Sequence, residues 1–183
     1  VKRLSKVIQF NESSNVFIIL QKPIVVLNSQ KFIIRSLSPS ETIAGGEILH
    51  QQSEDYGKKE LSFLLKNLTC ETKERLLSLV SFSWKDIKKI SHYSKILNIS
   101  NEKVLDLAKK VGINIFKDFL YLKSNLIKCS NIIEEVLLKY HDENPLIEKL
   151  AKTKAEALLE MSKSLIDLAL QESRSNVVIF EDG

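Results

Sequence analysis

The chain has 183 residues, of which 44% are apolar and 27% are charged, and its formal net charge is +4. This composition excludes a wholly disordered chain, and the length suits one domain or two to three small ones. No apolar run approaches the roughly 20 residues that span a bilayer, no targeting segment is evident, and two distant cysteines predict no disulfide framework. A reducing cytoplasm is therefore the expected location.

Charge is distributed unevenly along the chain. Residues 1–50 contain six Lys/Arg and three Asp/Glu, residues 51–123 contain fourteen and nine, and residues 124–183 contain seven and eleven. The middle segment is therefore the better candidate for contact with a polyanion, and the last segment is a poor one.

The first fifty residues have the composition of β-structure. Residues 16–20 and 23–27 are rich in Val, Ile and Phe, which predicts two strands, with Pro23 at a strand end, a bulge or an edge. A polar turn at residues 28–30 leads into the apolar run 31–37, which predicts a hairpin between the two runs that it joins.

A second turn is predicted further along this segment. Gly45-Gly46 permits positive φ or a close approach of another backbone, and a further strand is expected from Glu47. The pattern alone indicates part of an antiparallel barrel or sandwich.

The middle of the chain is predicted to be mainly helical. Apolar periodicity predicts helices over residues 58–67, 71–81, 84–90, 94–97 and 101–110. Ser83 and Ser100 are candidate N-caps, and Gly112 is placed to close the last helix. Residues 113–122 are predicted to form two short strands around Lys117-Asp118, and helices followed by such a hairpin are typical of a winged helix.

The last sixty residues repeat that order. Helices are predicted over residues 131–141, about 150–161 and 163–173, and a strand over 176–180. Because that strand has no following partner, a second winged helix is expected to be incomplete in this chain, as in a fragment.

The residues of the β-rich segment resemble a known family. The string LQKPIVVLNSQKFIIRSLSPSETIAGGEIL is similar to the end of the third, EF-Tu-like domain of the selenocysteine-specific (SelB-type) translation elongation factors, which has Leu-x-x-Pro-Val-Val, Leu-Arg-Ser-x-Ser-Pro and Thr-Ile-Gly-Gly-Gly-x-Val-Leu. Ala44 stands where the family has its first Gly. The matching residues are Leu20, Pro23, Ile24, Val25, Phe32, Ile34, Arg35, Ser36, Ser38, Pro39, Thr42, Ile43, Gly45, Gly46, Ile48 and Leu49.

A second, shorter match follows in the expected order. Tyr140-His141 and Asn144-Pro145-Leu146 resemble the family's Tyr-His-x-x-His-Pro-Leu in the first helix of its second winged helix, with Asn144 in place of the second His.

The resemblance implies an α+β architecture in four parts. These are the C-terminal part of a partial antiparallel β-barrel (1–50), a linker (51–57), a winged helix (58–123) and a second, truncated winged helix (124–183). It also implies a parent protein that is a GTP-dependent factor delivering selenocysteyl-tRNA to the ribosome at recoded UGA codons. The parent's mRNA hairpin would be bound by later winged helices, so weak or no hairpin binding is expected here.

No enzymatic role is expected for this chain. It contains no GxxxxGK[ST] phosphate loop and no other Gly-rich nucleotide cradle. The resemblance places GTP and Mg²⁺ in a G domain of the parent protein, and no cofactor or metal is expected in residues 1–183. No membrane partner is expected either.

Candidate contact residues come from two sources. The resemblance implies that Arg35, Gly45 and Gly46 lie close to tRNA. Basic residues that could contact a nucleic-acid backbone are Lys85, Lys88, Lys89, Lys103, Lys109, Lys110 and Lys117. For the lysines beside Trp84, the alternative is a solvated helix face with Trp84 in the core.

The histidines and cysteines carry weaker signals. His50, His92 and His141 lack metal-ligand spacing, and Cys70 has no neighbouring base that would activate it. Two further classes of function fit the pattern. One is a winged-helix transcription regulator with a small β-domain, and the other is a structural adaptor.

Overall fold

The computed structural model describes residues 9, 11–51, 56–147, 150 and 152–172. Within these ranges the architecture is mixed α+β, as predicted, with seven helices and two separate two-stranded antiparallel sheets but no closed barrel. No helix in this part of the chain combines the length and the apolarity needed to cross a membrane. The elements are β1 (Lys31–Arg35), β2 (Thr42–Glu47), α1 (Lys58–Asn67), α2 (Thr72–Phe82), α3 (Ile90–Leu97), α4 (Asn101–Lys110), β3 (Asn114–Phe116), β4 (Phe119–Tyr121), α5 (Lys123–Glu143), α6 (Lys152–Leu159) and α7 (Lys163–Glu172).

β1 and β2 form an antiparallel hairpin that we call the ribbon. Phe32 lies opposite Gly46, Ile34 lies opposite Ala44, and the register shifts after Ile34. The prediction of strands over residues 16–20 and 23–27 is wrong, since neither run forms a strand in the described chain. The predicted hairpin is wrong for the same reason, because the run 31–37 pairs with the segment after it and not with the segment before it.

The first helical unit comprises α1–α4 and the β3–β4 hairpin. Its core is built from the apolar faces of all four helices, and Leu76, Val104 and Leu120 are fully buried there. Ser100 caps α4 as predicted, because its Oγ accepts a hydrogen bond from the Lys103 N–H at 3.3 Å. Gly112 follows α4 with φ +71°, a backbone conformation that favours glycine.

The predicted helix over residues 84–90 is wrong. Ser83 is the C-cap of α2 and does not begin a new helix, and its N–H donates to the Leu79 carbonyl. Extended backbone at Lys89 pairs with Phe119 of β4. The pairing partner is thirty residues away, so local periodicity did not reveal it. Ser94 lies inside α3, which is one helix and begins at Ile90.

The second helical unit comprises α5–α7. Its core contains Cys129, Leu165 and Ile166, and it also takes in Ile87 and Tyr121 from the first unit. The side chains of β4 alternate, so Leu120 enters the first core while Tyr121 enters the second. The β3–β4 hairpin is therefore shared by the two units. Three helices form in this region as predicted, but α5 begins at Lys123, eight residues before the predicted start at 131. The predicted strand over residues 176–180 lies outside the described residues, as does most of the predicted linker.

Candidate nucleic-acid interface

The lysines predicted from sequence fall into two groups on different elements. One group comes from the stretch before α3 and from the β3–β4 turn, and we call it the hairpin group: Lys85, Lys88, Lys89 and Lys117. The other group comes from α4, and we call it the helix group: Lys103, Lys109 and Lys110.

Backbone pairing brings the hairpin group together. Lys89 forms a β-bridge with Phe119, and the Leu120 N–H donates to the Lys88 carbonyl oxygen at 3.1 Å. This bridge adds a third extended segment to the β3–β4 hairpin. Lys88 and Lys89 therefore lie beside β4, and Lys117 lies in the turn that leads into the same strand.

Three amines of this group lie over aromatic rings. Lys85 Nζ is 5.7 Å from the Trp84 ring centroid, Lys89 Nζ is 5.7 Å from that of Phe119, and Lys117 Nζ is 5.1 Å from that of Phe116. All three rings are half-buried and pack against the core of the second unit, which favours the core interpretation of Trp84. Because the rings are occupied by core packing, the surface suits contact of the amines with phosphates better than stacking of bases.

Two members of the hairpin group form ion pairs. Lys85 Nζ lies 3.7 Å from a Glu160 carboxylate oxygen, and Lys88 pairs with Asp86. Within the described ranges the other two members form no ion pair, and both are exposed. Lys89 and Lys117 are therefore the cations of the hairpin group best placed to meet an external anion.

An open groove separates the β3–β4 turn from α7. It is lined by Phe116, Lys117, Asp167, Leu170 and Gln171. Because its lining contains one acidic and one basic residue, the groove has no excess charge to attract a polyanion.

The helix group lies on a face of mixed charge. All three lysines are exposed, but Glu102 and Asp106 share the exposed side of α4, and Lys110 Nζ pairs with Asp106 at 2.7 Å. Acidic residues accompany the hairpin group as well, at Asp86, Asp118 and Glu160, so the two groups differ less in charge than in the backbone pairing that holds the hairpin lysines together.

The structure places the ribbon candidates differently from the prediction. Arg35 is exposed at the end of β1, and its guanidinium donates to the Ser40 carbonyl at 3.2 Å. The predicted turn at Gly45-Gly46 is wrong, because both residues lie inside β2 and neither has positive φ. Ala44 fits the same strand, opposite Ile34, without a Cβ penalty.

Gly46 is explained by packing against its cross-strand neighbour. A Cβ at this position would lie 2.6 Å from Cζ of Phe32, whose ring covers the glycine. At Gly45 a Cβ would lie 3.4 Å from the Phe32 carbonyl oxygen, an ordinary contact. The glycine pair thus makes room for an aromatic ring, and it forms no phosphate cradle in this conformation.

Arg75 is a buried charged residue that was not identified from the sequence. Its side chain is fully buried in α2, where it donates to the Thr69 carbonyl at 2.8 Å and the Cys70 carbonyl at 2.7 Å. It also reaches the Asn28 side chain from the segment before the ribbon. The available signal was its position one turn before Leu79 on the apolar face of α2, where a charge requires partners.

The histidines and cysteines have structural surroundings. The described residues contain no group of three or more His, Cys, Asp or Glu side chains that could hold a metal ion. The Cys129 thiol contacts the Met161 sulfur at 3.2 Å in the second core, and burial raises the pKa of this thiol to about 11. Cys70 is an exposed free cysteine.

Comparisons with known proteins identify no family. No protein-family model matches the chain, and no curated protein matches it.

Proposed function

We propose that this chain is the C-terminal region of a GTP-dependent translation elongation factor that delivers selenocysteyl-tRNA to ribosomes at recoded UGA codons. In this proposal the ribbon belongs to the tRNA-side surface of an EF-Tu-like barrel, and the helical units are winged helices that act as spacers or contact RNA. The parent protein, with its own GTP and Mg²⁺ site, would be the GTPase.

The observation that carries the proposal is the uncovered apolar surface of the β-rich segment. Val25 and Leu37 are almost fully exposed, and Ile33 and Ile43 of the ribbon are about two-thirds exposed, at 69% and 66%. Apolar strands with open edges and bare faces are stabilised when further strands cover them. A ribbon from a larger barrel has this property, and the residues that resemble the family lie in this segment.

The order of elements in the first helical unit supports the second part of the proposal. A helix (α2), an extended segment at Lys89, two helices (α3 and α4) and a hairpin (β3–β4) follow one another, as they do in a winged helix. In such a domain α4 would be the recognition helix and β3–β4 the wing. Here the apolar side of the wing is covered by the second unit, which suits a rigid spacer.

The same order also fits a winged-helix transcription regulator, which is the second candidate. A regulator reads base edges through its recognition helix. The acidic residues Glu102 and Asp106 on the exposed side of α4 disfavour insertion into the major groove of DNA. That alternative also leaves unexplained why the residues of the β-rich segment resemble the elongation factors.

A cellular experiment tests the proposal. The gene encoding the chain is deleted, and read-through of a reporter with a selenocysteine UGA codon and its mRNA hairpin is measured beside a matched reporter with a sense codon. We expect read-through to be abolished and sense translation to be unchanged. Normal read-through after deletion would overturn the proposal.

Crosslinking distinguishes the two candidate functions. Ultraviolet crosslinking in cells, followed by purification of the protein, should recover selenocysteine tRNA and ribosomal RNA. Recovery of genomic DNA fragments in their place would favour the regulator.

A further inference from the structure

The contact between the ribbon and the first helical unit is polar and centres on one residue. Arg75 in α2 is fully buried, and its guanidinium contacts both the helical unit and the base of the ribbon. On the helical side it donates to the carbonyls of Thr69 and Cys70. Toward the ribbon it donates to Asn28 Oδ1 and lies 3.6 Å from a Glu47 carboxylate oxygen.

Asn28 and Glu47 lie at the base of the ribbon, one next to each of its two strands. Glu47 is the last residue of β2, and Asn28 precedes β1 by three residues. The Ser29 N–H donates to the Ile48 carbonyl at 2.8 Å, and the Ile48 N–H donates to the Gln30 carbonyl at 2.9 Å. The pairing of the two strands therefore continues as far as the residues that meet Arg75.

Asn28 extends the connection to a second helix. It is 8% exposed, and its Nδ2 donates to the Leu97 carbonyl at the end of α3 at 3.2 Å. A planar guanidinium and a planar amide that both have partners on two sides restrict rotation more than a single contact does.

Apolar packing contributes little to the direction of the ribbon itself. Of its eleven residues only Phe32 and Glu47 are half-buried, and the others are exposed. Asn15 binds the Leu65 and Leu68 carbonyls at 2.8 Å and 2.7 Å, but it anchors a segment well before the ribbon. The polar contacts at Arg75 and Asn28 thus set the direction of the ribbon together with Leu49, which follows β2 and packs against the first core.

We propose that Arg75, through Asn28 and Glu47, is a positioning residue that fixes the orientation of the ribbon relative to the first helical unit. The inference is independent of the proposed translation role, because it concerns only contacts within the chain. Loss of the guanidinium fork leaves both parts folded but allows the ribbon to swing about residues 28–30 and 47–49.

The test uses electron paramagnetic resonance to measure a distance between the ribbon and the first helical unit. Spin labels are attached at E41C, between the ribbon strands, and K109C, on α4, with C70S removing the exposed native thiol. The Cys70 backbone carbonyl that Arg75 uses is kept by serine. Cys129 is fully buried and should not be labelled. A second label pair, K66C and K109C, reports on the helical unit alone.

Two variants weaken the contact between Arg75 and Asn28 in different ways. R75K keeps the positive charge but loses the planar fork, and N28A removes the amide while leaving Arg75 in place. K73M, on α2, is the matched control, because Lys73 pairs only locally with Glu71 at 2.8 Å. We expect R75K and N28A to broaden the distance distribution between residues 41 and 109 at least twofold, and K73M to leave it unchanged.

The distance within the helical unit decides between positioning and general stability. We expect the distance distribution between residues 66 and 109 in both variants to stay as narrow as in the labelled chain without R75K or N28A. Equal broadening of both distributions would reduce Arg75 to a packing residue and overturn the proposal, as would narrow distributions in both variants. If R75K does not fold, N28A alone decides, because it leaves no buried charge without its helical partners.

Discussion

His50 is a histidine whose ring is kept neutral by its surroundings. Its Nε2 lies 3.2 Å from the Tyr56 hydroxyl, the two rings are stacked with centroids 6.0 Å apart, and Nδ1 is buried without a hydrogen-bond partner in the described structure. Burial lowers the pKa of His50 from 6.5 to about 4, and the nearby positive charge of His92 adds to this effect. The imidazole thus loses hydration that its charged form needs.

This depressed pKa predicts an acid-sensitive contribution to stability. Because the folded pKa is below the unfolded one, the unfolded chain binds the proton more tightly, so the contribution is complete above pH 6.5 and is lost as the pH falls toward 4. Between pH 7 and pH 5 we expect the unfolding free energy of the unsubstituted chain to fall by about 2 kcal/mol more than that of the H50F variant. The phenylalanine keeps a ring against Tyr56 but does not titrate. Urea denaturation at both pH values measures this difference. Equal decreases in unfolding free energy for the unsubstituted chain and for H50F would contradict the prediction.

Two of the three capping residues expected from the sequence, Ser100 and Gly112, have their predicted roles, whereas Ser83 ends a helix instead of beginning one. Ser100 caps α4 because an N-cap depends only on the next three residues, and Gly112 closes the same helix for an equally local reason. Arg75 was not identified as a site because its partners Asn28 and Glu47 lie 47 and 28 positions away along the chain. Its function depends on tertiary contacts that no local pattern contains.

At the scale of elements, helices and strands differed in how far the sequence predicted them. The helix over residues 58–67 was predicted with the observed bounds of α1, because helical hydrogen bonds join residues four apart. Strands depend on partners elsewhere. The apolar run 23–27 has strand composition but no strand partner among the described residues, whereas the stretch before α3 pairs with β4 despite its helical pattern.

The ribbon itself offers a paired test of side-chain packing across strands. In G46A the new Cβ would lie 2.6 Å from Cζ of Phe32 and would displace the ring, whereas in G45A the nearest contact, at 3.4 Å, is ordinary. We expect G46A to destabilise the ribbon by about 1 kcal/mol. We expect G45A to be neutral or to stabilise it by about 0.5 kcal/mol, since alanine restricts the unfolded chain.

Hydrogen exchange of the β1 amides measures this local stability. Combining G46A with F32L should restore protection, because the smaller side chain leaves room for the Cβ. If G46A and G45A protected the amides equally, the ring would not be the reason for glycine at position 46.

At the scale of the whole molecule, the shared β3–β4 hairpin joins the two helical units. Ile87 and Tyr121 belong to the second core although they lie in the first unit, and the Ser162 N–H donates to the Lys85 carbonyl at 3.0 Å. Lys85 and Glu160 add an ion pair across the same boundary. The β3–β4 hairpin therefore packs against both helical units, and Lys85 and Lys117 lie where it meets the second unit.

The placement of the two lysine groups predicts which of them contacts RNA if the proposed function holds. Lys89 and Lys117 are exposed, without an ion pair in the described chain, and belong to the β3–β4 hairpin and the segment paired with it, whereas Lys110 of the helix group pairs with Asp106. Each phosphate contact adds about 0.7 to 0.9 to the slope of log affinity against log salt concentration. We therefore expect K89Q/K117Q to lower the slope for selenocysteine tRNA by about 1.5 and to weaken binding at low salt.

The matched control is K103Q/K109Q, which removes the same charge from α4. It should change the slope by less than about 0.5, because contacts that are not made release no counterions. Binding measured by fluorescence anisotropy between low and moderate salt gives both slopes for proteins of equal net charge. A larger effect of K103Q/K109Q would place the RNA on α4, and equal effects would mean that net charge, and not the hairpin group, drives the association.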